Sequence, residues 1–190
     1  TIIHKNIFTD EYLKYLEDID PEICGSIGYT YLVNMNLVRK NGDQVIPVKI
    51  SSGITGMANG SGSNPSQVSS MQNAGLSSYP VQLNKDEENF LRRHYELLAG
   101  EYPADKTDMV LVVDRKNRVS YEVLKNLGFE TENIKSISFD DIVGTEFKLV
   151  LNDDYYIKTE YGSFLPDTDY QRMYDSKKSI TLRISGIVRP

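Results

Sequence analysis

Two histidines, His4 and His94, and one cysteine, Cys24, are the only imidazole and thiol groups in the chain. A Ser-His-acid hydrolase needs a histidine held by a carboxylate beside its nucleophile. Neither histidine stands in a Gly-x-Ser-x-Gly or similar context. A structural or catalytic zinc draws on closely spaced His and Cys, and the chain has no His-x-His and no Cys-x-x-Cys. Paired carboxylates occur at Asp140-Asp141, Asp153-Asp154 and Asp167-Thr168-Asp169. A glycosidase would need two of them across a cleft, and turn and cap roles suit neighbouring acids better. Calcium at Asp153-Asp154 or Asp167-Asp169 lacks EF-hand-like spacing. Gly60-x-Gly62 resembles a phosphate loop only superficially, because no Gly-Lys-Ser/Thr follows and no strand-to-helix context surrounds it. The expectation is a non-enzyme with no catalytic, cofactor-binding or metal-binding residue. His94 is expected to pack or cap at a helix end, where cations are favoured. Cys24 is expected to be a small buried apolar residue.

The elements that would position such groups are bounded by composition. A chain of 190 residues suits one domain or two small lobes, and at this size roughly 70% of the unfolded surface is buried. Net charge is -6 and the isoelectric point about 5.0, which argues against nucleic acid as a partner and against docking on anionic lipid through a basic patch. Tyr is frequent, at 13, and Trp is absent; Tyr suits strands and half-wet surfaces. One cysteine permits no intrachain disulfide. No stretch reaches the roughly 18 apolar residues of a membrane span, and no signal peptide is recognised. The sequence begins at Thr1 and stops just after an apolar strand, and reads as an excised soluble part of a longer protein.

In chain order, Thr9 is a candidate N-cap, with Asp10 and Glu11 in the first turn. Tyr12, Leu13, Leu16 and Ile19 recur at helical spacing, which predicts a short amphipathic, core-facing helix. Ile27, Tyr29, Tyr31, Val33, Met35 and Leu37 alternate with more polar residues, which predicts a strand. Asn41-Gly42 predicts a hairpin turn, and Pro47 places the returning strand Gln44 to Ile50 at an edge or a bulge. Ser51 to Ser78 is rich in Gly, Ser and Asn and is expected to be a mobile loop. Asn84 with Glu87 has the pattern of a capping box for a helix to about Tyr95, with Leu98 extending its apolar stripe. Gly100 is expected to relieve strain after that helix. The continuous apolar run Met109 to Val113 predicts a strand covered on both faces. Ser120 to Gly128 reads as a capped helix with a glycine stop, and Ser138 to Gly144 as a further helical turn. Strands are expected at Thr145 to Leu151, Tyr155 to Thr159 and Ile180 to Val188. Tyr161, Phe164, Tyr170 and Tyr174 are expected to anchor the mixed segment between the last two. The fold class is α+β, a mixed sheet with a few short helices. It forms a single domain over 1–190, or two lobes, 1–50 with 179–190 and 80–178, with the loop 51–78 between them.

The order of four segments carries a resemblance. Leu97-Leu98-Ala99-Gly100-Glu101-Tyr102-Pro103 is followed by the apolar strand Met109 to Val113, then by Gly144-Thr145-Glu146-Phe147-Lys148-Leu149, then by Leu182-Arg183-Ile184-Ser185-Gly186-Ile187-Val188. This resembles the extracytoplasmic domain of MacB/FtsX-like ABC transporter permeases of Gram-positive type. There the pattern reads Leu-x-x-Gly-Arg-x-x, an apolar strand, Gly-x-x-hydrophobic-x-hydrophobic and Val-x-Gly-Val/Ile. Glu101 stands where Arg is common, and about thirty residues are inserted between the third and fourth segments. The resemblance implies a fold like the MacB periplasmic core domain, on the extracellular face of the cell membrane. It implies as partners the membrane-embedded remainder of the permease and its cytoplasmic ATPase, and it allows a dimer in the full transporter. The domain would bind or sense a substrate and transmit ATP-driven motion. The sheet would serve as a rigid lever, with Ser51 to Ser78 and the Tyr-bearing segment Tyr155 to Tyr174 as its adaptable tip. A free-standing cell-surface module for ligand binding or adhesion is the alternative. Substrate and oligomeric state stay open at this point.

Overall fold

The computed structural model describes residues 7–29, 35–48, 78–84 and 88–190. His4, the middle of the expected strand Ile27 to Val38, Glu87 of the expected capping box, and the expected mobile loop apart from Ser78 lie outside them. In chain order the elements are α1 (Asp10–Glu17), β1 (Ser26–Ile27), β2 (Asn36–Asn41), β3 (Gln44–Val48), β4 (Val81–Gln82), α2 (Phe90–His94), β5 (Glu96–Gly100) and β6 (Asp108–Val112). They continue with α3 (Tyr121–Asn126), a 3₁₀ turn (Phe139–Asp141), β7 (Glu146–Val150), α4 (Asn152–Tyr155), β8 (Tyr156–Lys158), β9 (Phe164–Pro166), α5 (Tyr170–Tyr174) and β10 (Ile180–Arg189). The fold is α+β, with mixed sheets and short helices.

Two compact units share these elements: residues 1–31 with 78–94, and residues 32–77 with 95–190. In the first, the Thr9 hydroxyl accepts from the Tyr12 N–H at 3.3 Å and caps α1, as the Thr-Asp-Glu sequence predicts. The helix nevertheless buries no residue completely. Leu13, Leu16 and Ile19 are half-buried, while Tyr12 and Tyr15 stand out in solvent, so the expected core-facing helix is only partly so. Strands β1 and β4 pair antiparallel, Ser26 with Gln82 and Ile27 with Val81. Helix α2 starts later than expected. Asn89 accepts from the Arg92 N–H at 3.0 Å in the first turn, and the helix stops at His94.

In the second unit the strand order is β3-β2-β7-β10-β5, with β6 also on β10. Strands β2 and β3 form the predicted hairpin. Asn41 pairs with Gln44, so Gly42 and Asp43 are its two loop residues, and Gly42 takes φ +59°. A left-handed first central residue suits the right-handed twist of the flanking strands. Strand β3 is the edge of this order, which is where Pro47, without an N–H, does no harm.

Ten-residue β10 is the hub. It runs antiparallel to β7 (Ile180 with Leu149 through Arg183 with Glu146), parallel to β6 (Ile184 with Met109, Val188 with Val112) and antiparallel to β5 (Gly186 with Gly100, Arg189 with Glu96). Around Leu182 and Ile184 it alternates between buried and exposed, but from Ile184 to Val188 every residue is buried. Leu98 therefore lies on strand β5 rather than on a helix, and Gly100 ends a strand, not a helix. Long-range pairing outweighs the helix propensity of the Leu-Leu-Ala run. Strand β6 also differs from expectation: Leu111 and Val113 are buried, but Val112 between them is 48% exposed, so one face is wet. The chain also divides elsewhere than between the expected lobes, because β2, β7 and β10 belong to one sheet.

Consecutive residues Leu37 and Val38 are both buried, on opposite faces of that sheet. Leu37 joins Phe147, Leu182, Ile184 and Ile187 with Leu124 of α3, Phe129 and Ile142. Val38 joins Val150 and Met173 of α5, with Tyr155, Tyr170 and Tyr174 against them. Helix α3 follows Ser120 as predicted, although the Ser120 side chain makes no capping bond. Gly128, at φ +79°, stops it.

Candidate functional site

The Tyr-bearing segment after β7 is two structures in one. Asn152 to Tyr155 make one turn of helix, and the chain then becomes extended at Tyr156, so the predicted strand starts one residue late and after a helical turn. Strands β8 and β9 pair antiparallel, Tyr156 with Pro166, Ile157 with Leu165 and Lys158 with Phe164. The turn between them is held by the Thr159 N–H donating to Ser163 O at 2.7 Å and by the Ser163 N–H donating to the Thr159 hydroxyl at 3.2 Å. Gly162 takes φ +78° in that turn, a conformation that favours glycine.

Every residue of β8 and β9 is exposed. Strand periodicity puts Tyr156, Lys158, Phe164 and Pro166 on one face and Ile157 and Leu165 on the other. Tyr161, at the turn, is 93% exposed and Phe164 64%. These two were expected as anchors and are not. The anchors are Tyr155, Tyr170 and Tyr174, which pack on Val38, Val150 and Met173. Burial is the main reason the Tyr155 hydroxyl holds its proton to higher pH than usual.

Polar contacts tie the base of this hairpin to α5. Arg172 pairs with Asp167 at 2.6 Å and donates to the Asp154 carbonyl at 2.8 Å. That arginine, followed by the backbone N–H of Asp169, holds the Asp167 carboxyl below its ordinary range. Asp169 caps α5, accepting from the Arg172 N–H at 3.0 Å, and Asp154 accepts from the Ser176 hydroxyl at 2.5 Å. Three of the acids singled out in the sequence therefore do turn, cap and clamp work. Asp140 and Asp141 belong to a 3₁₀ turn in which Ser138 accepts from the Asp140 N–H at 3.3 Å.

Asp153 is different. It is exposed and, among the described residues, pairs with no cation. With Asn152, Tyr156 and Phe164 it lines an open cavity of about 470 Å³. Asn152 is held in place by the Asn36 amide, which donates to its Oδ1 at 3.0 Å. Tyr156 is held edge-on to Tyr155, with ring centroids 4.9 Å apart. The cavity thus combines two aromatic rings, one carboxylate and one amide on a braced hairpin. The sequence marks Asp153 and Phe164 only for other roles, and Tyr156 only as part of a run. The pattern that points to the cavity is the alternation on either side of the Tyr161-Gly162 turn, which sets Tyr156 and Phe164 on one face.

The remaining candidates are spread apart. His94 ends α2 with its ring 4.5 Å from that of Phe90. Cys24 is half-buried rather than buried, and its thiol donates to the Ser26 carbonyl at 3.4 Å. Among the described residues no three His, Cys, Asp or Glu side chains group as a metal site would require. A second open cavity, of about 410 Å³, lies in the first unit along Tyr79 to Gln82, Asn84, Asn89 and Phe90, and among the described residues no charged side chain lines it. No helix among the described residues is long and apolar enough to cross a membrane. No protein-family model, curated protein or solved structure matches the chain.

Proposed function

We propose that the chain is the extracellular domain of a MacB/FtsX-like ABC transporter permease, which binds or senses a substrate and transmits ATP-driven motion. The observation that carries this reading is where its four signature segments fall. Leu97 to Gly100, Met109 to Val112 and Glu146 to Leu149 all lie on strands that pair with β10, and β10 holds the fourth. Segments scattered along the sequence thus meet as one packed unit, as the working part of a lever must. The exposed hairpin Tyr156 to Pro166 supplies its contact surface, because Tyr and Phe give large contact area at low entropic cost. The membrane-embedded remainder of the permease and a cytoplasmic ATPase are the partners this role requires.

The test uses the full-length parent protein. Purified from membranes in mild detergent, it is expected to bring an ATPase with it in fixed proportion. A parent recovered from the medium or the cell wall, with no membrane-spanning segment and no ATPase, would overturn this reading in favour of a free-standing surface module.

A further inference from the structure

We infer that the cavity formed by Asn152, Asp153, Tyr156 and Phe164 is a binding site for an organic ammonium group. This deepens the reading of the hairpin as a contact surface and rests on that surface, but not on the transporter assignment. Three observations carry it. The first is the set of lining groups, two aromatic rings with a carboxylate and an amide. An aromatic face attracts a cation through its quadrupole, and weakly hydrated organic cations profit most because they lose little on leaving water. A carboxylate beside the rings adds a charge-assisted acceptor for any N–H the cation carries.

The second is charge. Arg172 is occupied by Asp167, which leaves Lys158, Lys177 and Lys178 as the remaining bases from Leu151 to Lys178, against Asp153, Asp154, Glu160, Asp169 and Asp175, so the segment stays net acidic. The local field favours a cation and disfavours an anionic or nucleic-acid ligand. The third is bracing: Asn36 fixes Asn152, Tyr155 fixes Tyr156, and the Thr159–Ser163 turn fixes the strand that carries Phe164. Tyr156 and Phe164 sit diagonally on one hairpin face, a separation of about 7–8 Å between backbones that aromatic side chains span. Lys158 shares this face and is the built-in competitor.

The ammonium head of a lysine-like side chain and the quaternary head of a choline-like group share this chemistry. They are told apart by titrating the 190-residue chain with n-butylammonium and with tetramethylammonium. Ring-proton chemical shifts of Tyr156 and Phe164 are read by NMR. Sodium chloride at matched ionic strength controls for screening, and tert-butanol for apolar contact alone. We expect saturable shifts with one or both organic cations and none with either control. Asp153→Asn, Tyr156→Ala and Phe164→Leu are each expected to weaken binding roughly two- to fivefold, and Lys158→Gln to tighten it. The backbone amide spectrum reports whether each variant keeps its fold, and Phe164→Leu keeps apolar bulk while removing the ring. Equal shifts with tert-butanol, shifts with sodium chloride alone, or no saturation with either cation would each overturn the proposal. So would an unchanged affinity in Asp153→Asn and Phe164→Leu together. Because the readout needs neither membrane nor ATPase, its failure is separate from failure of the transporter reading.

Discussion

At the scale of single residues, Asp114 shows how a turn sets a charge. Its carboxylate accepts the backbone N–H groups of Lys116 and Arg118, each at 2.8 Å, and pairs with the Arg118 guanidinium at 2.7 Å. The Arg118 side-chain bond is the largest cause holding this carboxyl down to about 2, with the Arg118 backbone N–H next. A carboxyl that ionises more readily folded than unfolded stabilises the fold above its ordinary value and loses that contribution as pH falls through the folded one. The window here runs from about 4 down to about 2. An NMR titration should therefore place the Asp114 midpoint near 2. Arg118→Ala should move it back up toward the ordinary value while leaving the melting temperature at neutral pH almost unchanged, because an exposed pair contributes little. The polar run Asp114-Arg115-Lys116-Asn117 suits a loop by residue type alone. The sequence does not show which donors converge on Asp114, because that depends on Asn117 entering the left-handed region at φ 56°.

At the scale of elements, the contact between β5 and β10 depends on two facing glycines. Gly100 takes φ +73°, and a Cβ there would lie 2.2 Å from the Ser185 carbonyl oxygen and 2.9 Å from Gly186 Cα. A Cβ on Gly186 would lie 2.4 Å from the Glu101 carbonyl oxygen. Backbone cannot yield as a side-chain tip can. Gly100→Ala should cost at least about 3 kcal/mol in a denaturant titration, from left-handed strain plus the clash. Gly144→Ala is the matched control: it has φ +85° but open space around it, so only the backbone cost of about 1–2 kcal/mol should appear. Equal losses at the two sites would remove the close approach as the cause. The sequence marks Gly100 correctly as a special backbone position and misplaces it at a helix end. Its partner Gly186 is far along the chain, and nothing local in Leu-Leu-Ala-Gly reveals that a strand will lie against it. The β2–β3 hairpin is legible because its whole logic, a glycine-bearing turn with Pro47 at an edge, fits inside a few residues, although the turn centres on Gly42-Asp43 rather than on Asn41-Gly42.

At the scale of the whole molecule, stability is unevenly distributed. Both hydrophobic clusters belong to the unit containing the six-stranded sheet, while α1 in the other unit buries no residue completely. Local opening costs least where few apolar contacts must break, and an eight-residue helix has little stability of its own. Amides of Leu182 to Val188 should accordingly be among the slowest to exchange in hydrogen–deuterium exchange, and those of α1 among the fastest. Comparable protection in the two would show that burial does not rank local stability here. Fold class is legible at this scale because apolar runs, turns and glycines punctuate the chain. The division into units is less so, since an apolar strand does not name the strand it will pair with. The bracing of the cavity is illegible for a related reason: Asn152 is held by Asn36, a contact no spacing rule connects.

Strand β10 also constrains the order of events during synthesis. Among the described strands, β5 and β6 pair only with β10, which leaves the ribosome after both. At about 5–20 residues per second, the earlier strands wait several seconds with their hydrogen-bonding edges unclaimed. Such edges can pair wrongly or be held by chaperones. Until β10 arrives, β5 and β6 have no partner among the described strands and the sheet cannot close.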